Sequence, residues 1–523
     1  MQVVWFKRDL RVQDHAPLAL AAATGPVLPL FVDEPEIFLA PDQSAQHAHF
    51  REACLAGLRA DLRALGLPLQ RAHGDMVAVL ERLWRAKAFT HLWSHEETGN
   101  ALTFARDQRV ALWCRTRGVT WQEIPQHGVI RRLASRNGWA RRWGERMMAS
   151  QAQLPSGIRA AEPVVTLAEA WQPAIPAGAD KAARQAGGRA AGLALLDSFL
   201  AGRGQDYRRA MSSPLSAEEA CSRLSPYLAF GVLSLREVVQ AVLHRVEYWR
   251  DQPAEHRPPG MLASLRSFEG RLHWHCHFMQ KLESEPEIEF RNIHRGYDGL
   301  REDVFDPARF TAWRRGETGL PMVDACMQML AATGWVNFRM RAMLVSFAAY
   351  QLWLHWREPA LHLAREFLDY EPGIHYSQMQ MQSGVTGINT LRIYNPVKQA
   401  QDHDPHGLFV RHWLPALAGV PDAFVFEPWR MPPGVQRECG VRIGEHYPAP
   451  IVDHEQAARE ARARIGARRG DAAVRAEATA VMAKHGSRKR GNDRDPSKAR
   501  SRKGRAANHS APPAQEAFDF GQG

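Results

Sequence analysis

Cysteine is scarce in this 523-residue chain, and none of it forms a metal-binding or disulfide motif. The six cysteines are scattered between positions 54 and 439 without a single CxxC pair. Such a scatter argues against a zinc site and against a disulfide scaffold. We therefore expect reduced thiols, no metal centre and a cytoplasmic location.

Long hydrophobic runs are also missing. No uninterrupted apolar stretch approaches the ~20 residues that a membrane-spanning helix needs. The first residues pass from a short apolar strand into a charged loop, which is not the pattern of a signal peptide. With 45% hydrophobic and 24% charged residues, the composition is typical of a globular protein without a membrane partner. The length suggests two or more domains.

Positive charge is abundant, but it is concentrated in one segment. The formal net charge is +11, and residues 484–505 hold ten Lys or Arg and two Asp, which together give +8. The rest of the chain therefore carries only +3. We expect residues 484–523 to form a basic disordered tail, because they include too few apolar residues to fold. Such a tail either adds salt-sensitive affinity for phosphates or is solvated without a defined partner.

Strand and helix patterns alternate over the first 125 residues. The runs 3–6, 27–32, 91–94 and 119–124 predict strands, and the stretches 45–65 and 76–84 predict helices. This alternation is typical of a parallel sheet covered on both faces, a Rossmann-like layer. No GxGxxG motif follows the first strand, so the dinucleotide-binding fingerprint is missing.

The pattern changes after residue 125. Residues 126–192 are rich in Pro and Gly and predict a linker, whereas residues 193–483 have helical periodicity. Ser234 and Glu237 have the spacing of a capping box at one helix start. The predicted fold class is an α/β Rossmann-like N-terminal domain followed by a large all-α C-terminal domain.

Two widely separated runs resemble the signatures of one family. Residues 392–417 read RIYNPVKQAQDHDPHGLFVRHWLPAL, and residues 3–15 read VVWFKRDLRVQDH. Both are similar to signatures of photolyases and cryptochromes, and they occur in that family's order. The resemblance implies an antenna-binding α/β domain at 1–125, a helical domain at 193–483 and FAD as the cofactor bound there.

Residues 222–226, SRLSP, combine hydroxyl groups with the amides of a helix start, which suits an anion. An ordinary helix cap has the same pattern. The resemblance implies that this segment holds the diphosphate of FAD, with Cys221 in place of a usual threonine. The FAD contacts implied here are Tyr207, Cys221, Ser222, Arg223, Leu224 and Ser225.

The runs 335–341, WVNFRMR, and 369–371, DYE, resemble the segments beneath the flavin ring in the family. They imply a guanidinium–carboxylate fork between Arg341 and Asp369, which would tune the flavin. A merely structural ion pair is the alternative. His375 falls beside flavin N5, where DNA photolyases carry asparagine, and its imidazole could exchange a proton near neutral pH. The FAD contacts implied here are Arg341, Asp369, Tyr370, Glu371 and His375.

The lesion-binding residues of photolyases are only partly kept. Those enzymes grip a flipped lesion with a glutamate and a tryptophan on one helix face, and here Arg271 and Trp274 hold the two positions. Trp274 suits stacking on an extruded base. Phe338 replaces the asparagine that usually reaches towards lesion and flavin, so two of three contacts are altered.

Histidines alternate at positions 273, 275 and 277. This spacing does not place all three on one side of a helix, so a polar pocket lining is favoured over a metal site. Some family branches use histidines to protonate the six-four photoproduct. A pocket containing His275 therefore leaves both major lesions open as substrates.

The electron relay of the family is also incomplete. Trp356 matches its middle tryptophan, but Met379 holds the flavin-proximal position and no tryptophan occurs at residues 303–304. Trp353 precedes Trp356 by three residues, so the two would share a helix face and could form a substitute route. Ordinary core packing of both tryptophans is the alternative.

The resemblance implies light-dependent repair of UV pyrimidine photoproducts in DNA by electron transfer from photoexcited reduced FAD. UV-damaged DNA is the expected partner, and the protein is expected to be a monomer. The alternative is a cryptochrome-like photoreceptor without repair activity, whose tail acts on a signalling partner. The third hypothesis is a nucleotide-binding protein whose flavin is structural or absent. The candidate catalytic residues are Trp274, Arg271, His275, Phe338 and Trp356.

The family usually binds a second, antenna chromophore against the α/β domain. Residues 95–97, HEE, lie near a segment that contacts it in relatives. We therefore expect a possible antenna of folate or deazaflavin type at this place, without a choice between the two.

Overall fold

The computed structural model of the protein describes residues 1–162 and 174–486. Residues 163–173 of the predicted linker and residues 487–523 of the predicted tail lie outside the described residues. The described part has an N-terminal half built on a sheet and a larger helical half. The predicted fold class is thereby confirmed.

Five parallel strands form the sheet, in the order β3-β2-β1-β4-β5. They are β1 (Gln2–Phe6), β2 (Val27–Asp33), β3 (Gln70–His73), β4 (His91–His95) and β5 (Thr120–Ile124). Val4 and Phe6 of the central strand β1 pack into one hydrophobic core, and Val3 and Trp5 pack into another on the opposite face. A continuous apolar run is what a strand buried on both faces requires.

The helices of this half connect the strands. They are α1 (Ala16–Thr24), α2 (Pro35–Phe38), α3 (Ala45–Ala64), α4 (Met76–Ala86) and α5 (Ala101–Arg117). The four predicted strands and two predicted helices are confirmed. The sequence pattern does not predict β3, because QRAH contains only one apolar residue and the strand lies at the edge of the sheet.

The helical half follows. Its helices are α6 (Trp139–Met148), α7 (Arg189–Ala201), α8 (Tyr207–Ala210), α9 (Ala217–Ala220), α10 (Ser225–Ala229), α11 (Leu235–Asp251), α12 (Met261–Ser284), α13 (Pro307–Arg315), α14 (Pro321–Thr333), α15 (Phe338–Ser346), α16 (Arg357–Glu366), α17 (Pro372–Gln382), α18 (Pro396–His403), α19 (Leu408–Trp413), α20 (Pro433–Glu438), α21 (His454–Gly470) and α22 (Ala472–His485). A π-helical turn, Phe347–Gln351, follows α15. Across the described ranges, no helix is both long enough and apolar enough to cross a membrane.

Helix α6 lies inside the segment predicted as a linker. Its buried residues are Trp139, Trp143 and Met147, which recur every fourth position and face one side. That spacing is the signature of an amphipathic helix, and the many Pro and Gly residues around it hide the signal. The connector is therefore partly structured, and α6 packs beside α11.

The two halves share a hydrophobic core. Phe6 and Leu58 from the sheet half belong to the same buried cluster as Phe199 and Leu272 from the helical half. Burial of this kind, at about 25 cal/mol per Å² of apolar surface, is the main driving force for packing. The helical half is therefore positioned directly against the sheet.

The charged loop after β1 completes this contact. Arg8 donates from Nε to the carbonyl of Ala229 at 2.9 Å and from Nη2 to the carbonyl of Tyr370 at 2.8 Å. Arg11 donates to the carbonyl of Gly231 at 2.8 Å. Gly231 has φ +63°, and a Cβ there would lie 2.1 Å from the Arg8 carbonyl oxygen. Only glycine permits this close approach.

The predicted capping box at the start of α11 also joins the halves. Ser234 Oγ accepts from the Glu237 amide at 3.0 Å, and the Ser234 amide donates to Glu237 Oε1 at 2.5 Å. The same hydroxyl donates to Asp14 Oδ2 at 2.6 Å, across the interface. One serine therefore caps a helix and fixes the loop after β1.

We expect Ser234→Ala to lower the free energy of unfolding by about 1–2 kcal/mol, as measured in urea, because the cap is lost. The matched control is Ser198→Ala, because that exposed hydroxyl has only local partners, the Leu195 carbonyl at 3.0 Å and Arg203 Nε at 3.2 Å. The control should change stability by less than about 0.5 kcal/mol. Equal losses in the two variants would contradict the role of Ser234.

Candidate functional site

Two connected cavities open in the helical half. The inner cavity, bounded by α15 and α17, has an empty volume of about 760 Å³. The outer cavity, bounded by α10, α12 and α15, has about 1250 Å³, part of it open to solvent. Arg341, Asp369 and Ser225 line both, so the two spaces are continuous. Ligand sites in proteins usually have volumes of this order.

Arg341 and Asp369 form the predicted fork at the junction of the cavities. Nη1 and Nη2 donate to Oδ1 and Oδ2 at 2.9 and 3.0 Å. Arg341 is also held by the Val336 carbonyl at 2.8 Å and lies over the Phe367 ring at 4.1 Å. Burial alone would raise the pKa of Asp369, but the charge and hydrogen bonds of Arg341, with a bond from Ser225, lower it. The carboxylate is therefore ionised at neutral pH.

The segment predicted to hold the diphosphate lines the outer cavity over its whole length. The lining residues there are Tyr207, Cys221, Ser222, Arg223, Leu224 and Ser225. Arg223 has φ +60°, a strained conformation for a side-chain-bearing residue. Burial raises the pKa of Cys221 to about 12, so this replacement for threonine is a neutral thiol.

Arginines give the outer cavity a positive charge. Its lining includes Arg223, Arg271, Arg339 and Arg341 against one carboxylate, Asp369, an excess of three positive charges. Arg223 lies over the Trp335 ring at 3.9 Å and pairs with Glu218 at 3.1 Å. An excess of guanidinium groups is the environment that a diphosphate requires.

The acidic segment, residues 369–371, and His375, to which the resemblance assigns FAD contacts, line the inner cavity. His375 Nε2 lies 2.8 Å from the Ala360 carbonyl, so Nε2 carries the proton and Nδ1 is the acceptor nitrogen. Burial lowers the pKa of His375 to about 4, which keeps the ring neutral. Burial raises the pKa of Glu371 to about 7, against the opposing charge of Arg8 at 3.3 Å.

Further residues of α17 line the cavities, and of these only Met379 was named from the sequence, at the flavin-proximal position. Ile374 and Gln378 face both cavities, and Met379 and Gln382 face the inner one. Their spacing of four, one and three residues is that of a single helix face. The pattern was available in the sequence, but it could not be told from a face that packs into the core.

The residues expected to contact a lesion meet in the outer cavity. Trp274 and His275 of α12 line it, together with Arg271 and Phe338. The Arg271 guanidinium lies 5.7 Å from the centre of the Phe338 ring. The two residues that depart from the photolyase pattern are therefore in contact with each other, as a cation–π pair.

The three alternating histidines do not all line the cavities. This agrees with the expectation that they do not lie on one side of the helix. His275 alone of the three lines the cavities. The rings of His273 and His277 lie 5.0 and 6.0 Å from that of Trp139, on the opposite side of α12. Alternate positions of a helix diverge by about 200°, which explains the separation.

The helix face predicted to be shared by Trp353 and Trp356 is wrong. Residues 352–356 lie between the π-helical turn and α16, so Trp353 and Trp356 do not share a helix face. Trp353 lies between the guanidinium groups of Arg301 and Arg464, at 4.5 and 4.9 Å from its ring. Two cations beside the ring disfavour a positive charge on it. Trp356 is 1% exposed and lines neither cavity.

One further group of potential metal ligands occurs in the described ranges, in the sheet half. His15 Nε2 and His95 Nδ1 lie 3.0 and 2.7 Å from the same oxygen of Asp9. His15 Nδ1 accepts from the Leu18 amide, so its proton is on Nε2 and points to Asp9. This arrangement is a hydrogen-bonded cluster that fixes the start of α1.

A third cavity, the interdomain cavity, lies between the sheet and the helical half. It has an empty volume of about 780 Å³ and is lined by Trp5, Lys7, Arg106 and Tyr370, among others. Of the predicted antenna segment 95–97, Glu97 lines this cavity. His95 is instead bound to Asp9.

Comparisons with known proteins agree with this geometry. Residues 2–136 match the DNA photolyase family, and residues 268–467 match the FAD binding domain of DNA photolyase. A cryptochrome DASH of Gloeobacter violaceus is 32% identical over 487 residues, which cover 87% of this chain and 94% of that protein. A deoxyribodipyrimidine photo-lyase of Escherichia coli is 29% identical over 485 residues, 87% of this chain and 96% of the relative.

A crystal structure of a bacterial class III photolyase from Agrobacterium tumefaciens has the same fold. Its TM-score is 0.74 at 26% identity, and the match covers 90% of this chain and 98% of that one. The sheet half, the helical half and the arginine-lined cavity define a flavoprotein with an FAD-binding helical domain. The chain belongs to the DNA photolyase and cryptochrome family, and its cofactor is FAD.

We expect Asp369→Asn to destabilise the flavin-depleted protein by about 3 kcal/mol at pH 7, because a buried cation loses its counter-ion. The pKa of Asp369 is lowered in the folded state. Its contribution to stability is therefore present above the ordinary carboxyl pKa and is lost as the pH falls through the folded pKa. Urea unfolding should show that the stability difference between wild type and variant persists down to about pH 4 and is lost only as the pH falls further, through the folded pKa of Asp369.

The control is Asp422→Asn, at a carboxylate that is 77% exposed and pairs with Arg411. Surface pairs of this kind contribute about 0–1 kcal/mol. A gap between wild type and Asp369→Asn that stays constant with pH would contradict the assignment.

Proposed function

We propose that the protein repairs UV-damaged DNA in blue light, with a pyrimidine photoproduct bound in the outer cavity. The observation that carries this proposal is the direct opening of the inner cavity into a wide space lined by Trp274. An enzyme that acts on a base inside a duplex must extrude it into such a space. A flavin used only for signalling does not require this room.

FAD, when bound and reduced, supplies the light-excited electron that splits the bond between the two pyrimidines and then returns. The remaining work belongs to the chain. Trp274 stacks on the extruded base, and Arg341 with Asp369 sets the charge beneath the flavin ring. Burial, then the charge of Arg8, lowers the pKa of His275 to about 4, so at neutral pH its ring can donate one proton and accept another.

Arg271 and Phe338 adapt the outer cavity to a pyrimidine dimer in a different way from the glutamate and asparagine of photolyases. A guanidinium donates hydrogen bonds and accepts none. Arg271 therefore binds the carbonyl oxygens of a pyrimidine, while the Phe338 ring, 38% exposed, offers an apolar surface. This pair supports a damaged base as ligand without fixing the type of lesion.

The deciding experiment is repair of UV-damaged oligonucleotides by the FAD-loaded, reduced protein. Both major lesions are tested, in single- and double-stranded DNA, under blue light and in darkness. We expect intact pyrimidines to appear for at least one lesion in the light only. No repair of either lesion in the light would reject the proposal.

We expect Trp274→Ala to weaken the binding of lesion-containing DNA by about 1–3 kcal/mol, because base–aromatic stacking is lost. Trp274→Phe keeps an aromatic face and should retain most of the affinity. The control is Trp249→Ala, since Trp249 on α11 lines none of the three cavities. Binding can be followed by fluorescence anisotropy of a labelled oligonucleotide. Unchanged affinity in Trp274→Ala would remove this residue from the substrate site.

The second candidate function is a blue-light photoreceptor of the cryptochrome type. The contact between Arg271 and Phe338 favours it, because both positions depart from the photolyase pattern. The repair assay separates the two functions. A protein that photoreduces its flavin but repairs neither lesion has the photoreceptor's behaviour.

We also propose that the interdomain cavity binds a second, light-harvesting chromophore. Its walls combine the Trp5 ring with Lys7, Arg8 and Arg106, which suits a flat molecule with acidic groups. Release of a non-flavin chromophore on denaturation, followed by its absorption spectrum and mass, tests this assignment. Protein that carries only FAD after reconstitution with folate and deazaflavin would reject it.

A further inference from the structure

Tyr370 occupies an unusual place between two cavities. It is 5% exposed and lines both the inner cavity and the interdomain cavity. Its hydroxyl group donates to Asp42 Oδ2 at 2.7 Å. Asp42 belongs to the sheet half, is 4% exposed and also accepts from the Asn100 side chain at 2.8 Å. A buried phenol at the flavin site therefore has its own carboxylate base.

Tyr370 is also the residue of the inner cavity that can be oxidised most readily. The other rings among its described lining residues are Phe338, Phe367 and the two neutral histidines. Met379 stands where the family's flavin-proximal tryptophan would be, and a thioether is a poor one-electron donor. Tyr370 is the one tyrosine or tryptophan among these lining residues.

The tryptophans of the outer cavity are less suited to donate an electron. The guanidinium of Arg223 lies 3.9 Å from the Trp335 ring, and a cation there opposes formation of a second positive charge. Trp274 faces the space proposed for the extruded base.

We propose that Tyr370 is the direct electron donor when oxidised FAD is photoreduced, and that Asp42 accepts its proton. One electron passes from the phenol to the photoexcited flavin, and the O–H bond breaks as the proton moves 2.7 Å to the carboxylate. A neutral phenoxyl radical and a neutral carboxyl group remain. A thiolate in solution then gives one electron to the phenoxyl radical and becomes a thiyl radical, and Asp42 returns the proton, which restores the phenol and the carboxylate.

The resting state fits this step. Burial, together with the nearby Tyr376 hydroxyl and the Asp42 carboxylate, holds the pKa of Tyr370 far above its ordinary value. The phenol is therefore protonated until it is oxidised. Because the product pair is neutral, no charge is left on these two buried side chains, and return of the electron from the flavin is slowed.

Two more aromatic rings continue away from the flavin site. The Tyr376 hydroxyl lies 3.3 Å from that of Tyr370, and its ring lies 6.5 Å away. The Trp356 ring is 6.4 Å from that of Tyr376. Trp356 Nε1 donates to the amide oxygen of Asn292, a weak base, at 2.8 Å. Of these rings, Tyr370 is the one whose proton can move to a carboxylate, so the radical settles there.

This inference rests on the proposed function only in requiring bound, photoactive FAD. The test is blue-light reduction of air-oxidised protein in the presence of dithiothreitol, followed by the loss of oxidised flavin absorbance. We expect Tyr370→Phe, which keeps the ring, to lose most of the photoreduction rate. Freeze-quench electron paramagnetic resonance should show a tyrosyl radical in wild type, narrowed by ring-deuterated tyrosine, and no such radical in the variant.

Asp42→Asn tests the proton acceptor, because an amide cannot take the phenol proton. We expect a slower reaction and loss of the solvent deuterium isotope effect. The control is Tyr227→Phe, since Tyr227 is buried, bonds to the Ala186 carbonyl and lines none of the three cavities. Tyr227→Phe should photoreduce as fast as wild type.

Repair by dithionite-reduced protein separates this inference from the repair proposal. Asp42→Asn that repairs at the wild-type rate after chemical reduction but is photoreduced slowly supports the electron-donor role of Tyr370, because Asp42 lines none of the three cavities. If Tyr370→Phe is photoreduced at the wild-type rate and shows the same radical signal, the electron-donor role is overturned, whatever the repair assay shows. If Tyr370→Phe does not bind FAD, Asp42→Asn decides the question. A wild-type photoreduction rate and a wild-type isotope effect in Asp42→Asn then overturn the electron-donor role.

Discussion

The ion pair between Arg341 and Asp369 is the interaction on which the rest of the site depends. Asp369 has only 7% of its side chain exposed, so the fold can keep it charged only beside a cation of fixed geometry. Arg341 meets that requirement because the Val336 carbonyl and the Phe367 ring hold it from two more sides. The pair thereby fixes α15 against the segment before α17. Those two elements frame the inner cavity, so the shape of this cavity follows from a charge that the fold must neutralise.

The two sequence runs that identify the family serve mainly the fold. Residues 392–417 line none of the three cavities; within them, the buried carboxylate of Asp404 accepts from the amides of Phe409 and Val410 and begins α19. In residues 3–15, Arg8 and Arg11 donate to carbonyl groups of the helical half. Such charged docking residues cannot change freely, since their buried partners would be left without hydrogen bonds. The first run also lines the interdomain cavity with Trp5, Lys7 and Arg8, whereas the proposed flavin and lesion site is formed by residues between the two runs.

The strands, the long helices and the arginine–carboxylate fork could be predicted because local periodicity or a short motif encodes them. The features that were not predicted depend on contacts with other parts of the chain. The edge strand β3 has its polar face stabilised by Arg71, which binds Asp33 and Glu52 of neighbouring elements. Trp353 was predicted to lie on a helix, but the helix ends before it, in the π-helical turn Phe347–Gln351. The bond from Tyr370 to Asp42 joins residues 328 positions apart. No local pattern encodes a contact that only the packing of two halves creates.

In the proposed lesion site, Arg271 replaces a hydrogen-bond acceptor by a donor, but it can still bind the same edge of a pyrimidine. A carboxylate in this place can accept the imide N–H of a pyrimidine, whereas a guanidinium can donate to the carbonyl oxygens on either side of that N–H. The same base edge is therefore readable by either group. Arg271 also adds positive charge to a cavity already lined by three other arginines, and this repulsion is unfavourable. Under the proposed function, phosphates of FAD and of DNA supply the compensating negative charge, so the substrate contributes to the stability of the site. A cavity with this charge binds an anionic ligand more strongly than a neutral nucleobase, and recognition of damage must then come from stacking on Trp274 and from shape.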